Sequence, residues 1–254
     1  MIELESGSGD CLIVLQRNVL LKRMNDLPKP SSSRLRSNPS IKGVLSWPSF
    51  PLPKTLAPTN PIMPVDPWLK RWLPLVSNRA SEGIVLELGC GSGADTATLH
   101  ESKLNVVAVE RDKDAALLAQ AAVPGAKVFT RDLRDPFPVE GQPVITVVAS
   151  LSLHYFTWPE TEQVVQRIHE VLVPGGLLLC RLNSTNDHHF GASGHQVLEK
   201  NYFLVEGQPK RFFDRGAIDS LFALGWRTLS LNERTTGKYG RPKALWEVIL
   251  AKDA

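Results

Sequence analysis

The residues best placed to do chemistry stand together in Glu87-Leu88-Gly89-Cys90-Gly91-Ser92-Gly93. Three glycines in five positions let the backbone turn sharply and leave no side chain between main chain and ligand. The apolar run before them, Ile84-Val85-Leu86, reads as a strand. Ala94-Asp95-Thr96-Ala97-Thr98-Leu99 reads as the start of a helix. Strand, glycine turn and helix N-terminus together present backbone N–H groups to a cofactor. Gly89-x-Gly91-x-x-Ala94 satisfies the permissive dinucleotide fingerprint, with Glu110 about 20 residues on. Glu87 counts against that reading. A carboxylate two residues before Gly89 would face the phosphates and repel them, whereas it suits a ligand carrying an ammonium group.

Further chemistry-bearing residues follow in order. Glu110-Arg111 closes a second strand, and Asp132-Leu133 follows a third. Ser150-Leu151-Ser152-Leu153-His154-Tyr155-Phe156 ends a fourth, and Leu172-Val173-Pro174-Gly175-Gly176 leads into a fifth. In this order and spacing the chain, over roughly residues 65–252, resembles the class I S-adenosylmethionine (SAM)-dependent methyltransferases. LELGCGSG is similar to that family's first motif. The segment LHYF and the ending WRTLSLNERTTGKYG…WEVILAKD are similar to the small-molecule branch, including tellurite-resistance-type enzymes.

The resemblance implies SAM as cofactor and a role for each matching residue. Gly89, Cys90, Gly91 and Gly93 would hold its methionine part, with Glu87 near the ammonium. Glu110, with Arg111 beside it, would accept from the ribose hydroxyls, a bidentate task suited to a carboxylate. Asp132 would accept from the adenine amino group, with Leu133 beside the ring. Ser150 and Leu151 would offer backbone near the sulfonium. One departure stands out: many members carry an acid near the start of the fourth strand, where this chain has Val144-Ile145-Thr146.

Methyl transfer from a sulfonium needs mainly a positioned acceptor. A general base helps only if the acceptor must lose a proton. His154 follows the fourth strand at the sheet edge where ligands bind and is the candidate catalytic residue, with Tyr155 beside it. Asn183 and Asn186 could orient the acceptor, and 190–210 reads as an aromatic-bearing loop able to cover it. No metal site is expected: adjacent His188-His189 cannot easily share one ion, and no cysteine stands near them. A small-molecule acceptor is the expectation. A protein or RNA acceptor, or a non-catalytic SAM-binding regulatory module, stays open from the residues. The modest net charge of +3 argues against nucleic acid.

These residues need a scaffold, and the periodicity supplies one. Strands at 85–88, 105–110, 126–130, 144–150 and 177–182 alternate with helical stretches, and strands at 226–232 and 244–251 finish the chain. That order predicts an α/β fold: a doubly wound, mostly parallel seven-stranded sheet with an antiparallel edge hairpin and helices on both faces. Asp112, Thr157 with Glu160, and Asp214 mark helix starts, and 67–75 reads as a leading helix. This SAM-binding domain is expected over 63–254. Residues 1–62 read as a poorly ordered extension: eleven of 19 prolines lie at or before Pro74, and 17–54 hold eight Lys or Arg against one acid. Met63 is a natural start for the folded part. Three cysteines without a C-x-x-C, Glu3 and Glu5 where a signal peptide would be basic, and no apolar run of membrane length give a cytoplasmic expectation without membrane association. Oligomeric state is not legible.

Overall fold

The computed structural model describes residues 67–79, 82–238 and 240–253. The extension expected over 1–62, and Met63, lie outside the described residues. The order is α1 (Trp68–Ser77), β1 (Ile84–Leu88), α2 (Ala94–Glu101), β2 (Val106–Glu110), α3 (Lys113–Ala122), β3 (Lys127–Thr130), β4 (Val144–Ser150), α4 (Trp158–Val171) and β5 (Leu172–Asn183). Then come β6 (Gln196–Glu199), β7 (Tyr202–Val205), β8 (Gln208–Arg211), α5 (Arg215–Leu221), β9 (Trp226–Thr236) and β10 (Lys243–Lys252).

Seven strands form one sheet in the order β3-β2-β1-β4-β5-β10-β9. β1, β2, β3, β4 and β5 pair in parallel, while β10 runs antiparallel to both β5 and β9. The expected mostly parallel sheet with an antiparallel hairpin at one edge is therefore present. β1 is buried along its whole length, and β4 up to Ser150, because helices cover both faces and leave no position for a polar-out alternation. On one face Leu86, Leu88, Val147 and Leu178 pack with Val164 and Ile168 of α4 and Ile218 of α5. On the other, Val85, Val148, Leu179 and Ile249 pack with Trp68 and Leu69 of α1 and Leu99 of α2. Burying a Val or Leu side chain of this kind contributes about 1.5–3 kcal/mol.

The helices start where local chemistry starts them. Asp112 accepts from the Ala115 N–H at 2.8 Å and Asp214 from the Ala217 N–H at 2.7 Å. Thr157 and Glu160 close a capping box.

Two expectations need correction. β5 begins at Leu172, not 177: Leu172 already pairs with Val144, and a bulge across 173–176 absorbs the Pro-Gly-Gly turn before Leu177 pairs with Thr146. The stretch 190–210 is no open loop. After a 3-10 turn at His188–Phe190, β6, β7 and β8 form a second, antiparallel sheet. Its β7–β8 hairpin turns on Glu206 and Gly207, both at positive φ (52° and 78°), as a two-residue hairpin requires.

The strand order runs outward from β1 through β2 to β3 on one side, and through β4 to β5 on the other. That switch point sets the carboxyl ends of β1 and β4 side by side, the edge at which sheets of this kind bind ligands.

Candidate active site

β1 delivers Glu87 to this edge as a buried carboxyl group, 3% exposed. The Thr96 hydroxyl of α2 donates to its Oε2 at 2.6 Å. Loss of water pushes the carboxyl up to about 8; the Thr96 bond pulls it down, and the charges of Asp95 and Glu110 push it further up. Among the described residues Glu87 forms no ion pair. The turn after it is forced to be glycine at its first position: Gly89 has φ 73°, and a Cβ there would sit 2.5 Å from the Ser152 Cβ. Gly91, at φ 54°, has nothing within 4 Å of where its Cβ would be, so the space above the turn is open to a ligand. Cys90 lies under the turn, its thiol pushed up to about 12 by burial and so held neutral.

Glu110 closes β2. Its Oε2 accepts from the Gly91 N–H and its Oε1 from the Asp112 N–H, both at 2.9 Å. The two bonds lock the carboxylate against the glycine turn with lone pairs still available. Arg111, next to it, is exposed. Asp132 is half-buried and accepts from the Arg134 N–H at 2.9 Å and the Arg134 guanidinium at 3.1 Å, while Leu133 is buried.

The end of β4 bends abruptly. Leu151 holds φ 56°, a conformation that costs a non-glycine residue about 1–3 kcal/mol, and its N–H donates to the Arg181 carbonyl at 2.9 Å. The Ser150 hydroxyl accepts from the Arg181 guanidinium at 2.9 and 2.7 Å. Ser152 is buried, and its hydroxyl lacks a partner among the described residues. A 3-10 turn at Leu153–Tyr155 then carries His154, 5% exposed, and Tyr155, 39% exposed, with ring centroids 4.0 Å apart. His154 Nδ1 also lacks a partner. Burial first, then the charges of Lys243 and Lys210, hold the imidazole well below its ordinary pKa, so the ring is neutral.

The second sheet packs beside this turn. Arg211 of β8 is buried and donates to the Phe156 carbonyl at 3.1 Å and to Glu199; its guanidinium also lies 4.6 Å from the Tyr202 ring centroid. The Tyr202 hydroxyl donates to the Tyr155 carbonyl at 3.1 Å, and Glu199 accepts from the Trp158 N–H at 3.1 Å. The second sheet is thus fastened to the His154 turn. Asn183 is buried there with Oδ1 unpartnered among the described residues. Asn186, by contrast, is exposed and donates to Glu233 at 2.8 Å. His188 and His189 are exposed, and among the described residues no three His, Cys, Asp or Glu side chains gather to hold a metal.

Residues 85–176 match the family described as methyltransferase domain. This domain runs from β1 into β5 and contains the glycine turn, Glu110, Asp132 and the His154 turn. An uncharacterized methyltransferase of Oceanobacillus iheyensis is 30% identical over 99 residues, 39% of this chain and 46% of that protein. Another, from Synechocystis, is 32% identical over 106 residues, 41% of this chain and 50% of that protein. The matches span about half the length of these curated relatives. Among solved structures, a SAM-dependent methyltransferase from Methanosarcina mazei shares the fold with a TM-score of 0.61 at 16% identity, covering 71% of this chain and 97% of that one. Family and fold support SAM as the cofactor over the dinucleotide that the glycine pattern alone allowed. The site fits it: a buried carboxylate facing no cation, open space above Gly91, and a pinned Glu110 match an ammonium, a main-chain-hugging tail and a ribose.

Sequence reasoning missed Thr96, Arg181 and Arg211. Thr96 follows Glu87 by nine residues across the turn, a spacing with no fixed meaning. Arg181 reads as one polar residue in an apolar strand. In the structure it is fully buried, with its guanidinium 4.4 Å from the Trp68 ring centroid.

Proposed function

We propose that this chain transfers a methyl group from SAM to a small-molecule acceptor, as the resemblance to the small-molecule branch, including tellurite-resistance-type enzymes, implied. The observation that carries the reading is Glu87: a buried carboxyl at the glycine turn, hydrogen-bonded by Thr96, with no cation partner among the described residues and with Asp95 and Glu110 as its charged neighbours, so that its ionised form calls for a cation from outside. An amino-acid ammonium answers that demand; a pyrophosphate does not.

In this reading Glu87 receives the ammonium and the Gly89–Gly93 backbone holds the amino-acid end. Glu110 takes the ribose hydroxyls, Asp132 and Leu133 take the adenine, and Ser150 and Leu151 border the reacting centre. Bound SAM supplies an electrophilic methyl on a sulfonium with a neutral leaving group. The protein's own work is then positioning and exclusion of water. Neutral His154 offers a hydrogen bond to the acceptor at a buried place, and Tyr155 forms the adjacent wall. The second sheet is hydrogen-bonded to this turn through Tyr202, Arg211 and Glu199, and structure packed beside the turn in this way would suit a small molecule better than a polymer. The proposal includes a cytoplasmic site of action, in keeping with two free buried cysteines, Cys90 and Cys180. Among the described residues no helix is long and apolar enough to cross a membrane.

The test has two parts. Thermal shift against SAM, its demethylated product S-adenosylhomocysteine, and NAD should show stabilisation by the first two alone. Labelled methyl from SAM, incubated with a cell extract, should enter the small-molecule fraction. Label in the RNA or protein fraction would overturn the acceptor class, and stabilisation by NAD alone would overturn the cofactor.

A further inference from the structure

Beyond the cofactor half, the ends of β4 and β5 meet β8 and the first residue of β10. Hydrogen bonds join the pieces. The Phe213 N–H donates to the Asn183 carbonyl at 2.8 Å, Asn183 Nδ2 to the Arg211 carbonyl at 3.5 Å, and the Ala244 N–H to Asp187 Oδ1 at 3.2 Å. Two lysines stand here. Lys243 is buried, with its ammonium 2.7 Å from Asp187 Oδ2 and 4.7 Å from the Phe190 ring centroid. Lys210, half-buried, precedes Arg211 on β8 and forms no ion pair among the described residues.

The acids nearby are already engaged. Asp187 holds Lys243, Glu199 holds Arg211, and exposed Glu233 accepts from Ser184 and Asn186. The charges that act on buried His154 are the two lysines, with no carboxylate among them, and Lys243 is itself repelled by Lys210 and Arg181. His154 Nδ1 and Asn183 Oδ1, both buried, wait for partners in the same neighbourhood. Lys243 and Arg211 carry their own counter-charges, so the unmet demand is the Lys210 charge, which an anion would answer, and the two unpartnered buried atoms, of which Asn183 Oδ1 needs a donor from the rest of the ligand.

We propose that the methyl acceptor is a small anion, a carboxylate or a phosphate ester, whose charged group is held by Lys210 and Lys243 while its acceptor atom lies beside His154. This rests on the methyl-transfer reading above. In the transfer, a lone pair of the acceptor atom forms the new bond to the methyl carbon as the sulfur–methyl bond breaks. The breaking bond's electrons stay on sulfur, and any proton on the acceptor atom leaves to solvent.

The test uses the full chain, methyl-labelled SAM and the small-molecule fraction of a cell extract. Labelled product should be retained on an anion exchanger at neutral pH, and phosphatase treatment that abolishes retention would identify a phosphate ester rather than a carboxylate. Lys210→Gln should lower labelling of that product about tenfold or more, the usual weight of a lost hydrogen bond to a charged group, and Lys210→Arg should restore much of it. Binding of S-adenosylhomocysteine, measured by calorimetry, should be unchanged in both variants. Labelled product in the neutral or cationic fraction, or full labelling by Lys210→Gln, overturns the anionic assignment while the methyl-transfer reading survives. No label in any fraction, with S-adenosylhomocysteine still bound, removes that reading and this proposal with it.

Discussion

SAM binding should strengthen as pH rises through about 8, because Glu87 must lose a proton to receive the ammonium. With the free-protein pKa at about 8, roughly one molecule in eleven carries the carboxylate at pH 7. If only that form is competent, apparent affinity is scaled by its fraction, a loss of about elevenfold at pH 7 and about 1.3-fold at pH 8.5. The predicted gain between those two conditions is about eightfold, or ~1.2 kcal/mol. The bound carboxyl, paired with a cation, titrates lower than the free one, so binding at pH 7 should release close to one proton. Calorimetric titration with S-adenosylhomocysteine, in buffers of different ionisation enthalpy, reads both quantities. Glu87→Gln keeps the shape, removes the charge, and should bind weakly with no pH slope. The same residue predicts the stability of the ligand-free protein. Its folded pKa is raised above the ordinary value of 4.5, so its contribution is complete below 4.5 and lost as pH rises through about 8. The loss is about 5 kcal/mol at most, visible as a falling melting temperature that Glu87→Gln flattens. Affinity that stays level from pH 6.5 to 8.5 without proton release would mean Glu87 is already ionised in the free protein, and would refute the reasoning.

The other predictions concern separate parts of the site. Glu110→Ala removes the acceptor that pins Gly91 and Asp112, and should weaken SAM binding about 100-fold or more while the fold survives; unchanged affinity by calorimetry would end its ribose assignment. Gly89→Ala meets both a positive φ and the Ser152 Cβ, so chemical denaturation should show a loss of about 2–3 kcal/mol. Arg211→Met strands Glu199 and frees the second sheet from Phe156. It should lower stability by about 2–4 kcal/mol and abolish transfer while S-adenosylhomocysteine still binds, a split that calorimetry and a labelling assay resolve. His154→Ala should lower turnover without changing cofactor affinity. Wild-type turnover should show no imidazole titration between pH 6 and 8, because the ring is already neutral there.

The placement of the candidate cofactor residues was legible because its signals are local. Glu87, the glycines, Glu110 and Asp132 each sit at the end of a strand whose apolar run marks it, and parallel strands covered on both faces leave uninterrupted hydrophobic stretches. Asp112, Thr157 and Asp214 announce helices through bonds only three residues long. The acceptor half was not legible because its contacts are distant in sequence. Arg211 reaches Phe156 across 55 residues, and Lys243 reaches Asp187 across 56. The second sheet hid for another reason: its turns use Lys200-Asn201 and Glu206-Gly207 rather than Asn-Gly or Asp-Gly, and its strands are four residues long with mostly exposed or half-exposed side chains.

One row of residues explains why an expensive arrangement is tolerated. Ser150, Arg181 and Glu247 pair across β4, β5 and β10 on the face covered by α1 and α2, and Glu87 of β1 sits on the same face opposite Val148, two residues before Ser150. Buried charge is destabilising unless paired, and most of the row is paired. Glu247 takes Arg71 at 2.5 Å and Arg234 at 3.2 Å, and Arg181 takes the Ser150 hydroxyl and the Trp68 ring. Trp68 in turn donates to Asp95 at 3.1 Å, which fastens α1 to the start of α2. Compensation stops at Glu87, where the neighbouring charges are acids. The left-handed Leu151 and the unpartnered Ser152, His154 and Asn183 atoms lie just beyond, at the ends of β4 and β5. Strain and unmet polar demand therefore gather where a cofactor and its acceptor would meet; elsewhere in the sheet, among the described residues, the Thr146 hydroxyl of β4 is the one further buried side-chain polar atom without a partner. A fold selected for stability alone would place an apolar residue at position 87. Retaining a carboxylate there makes sense only if its partner comes and goes with each turnover.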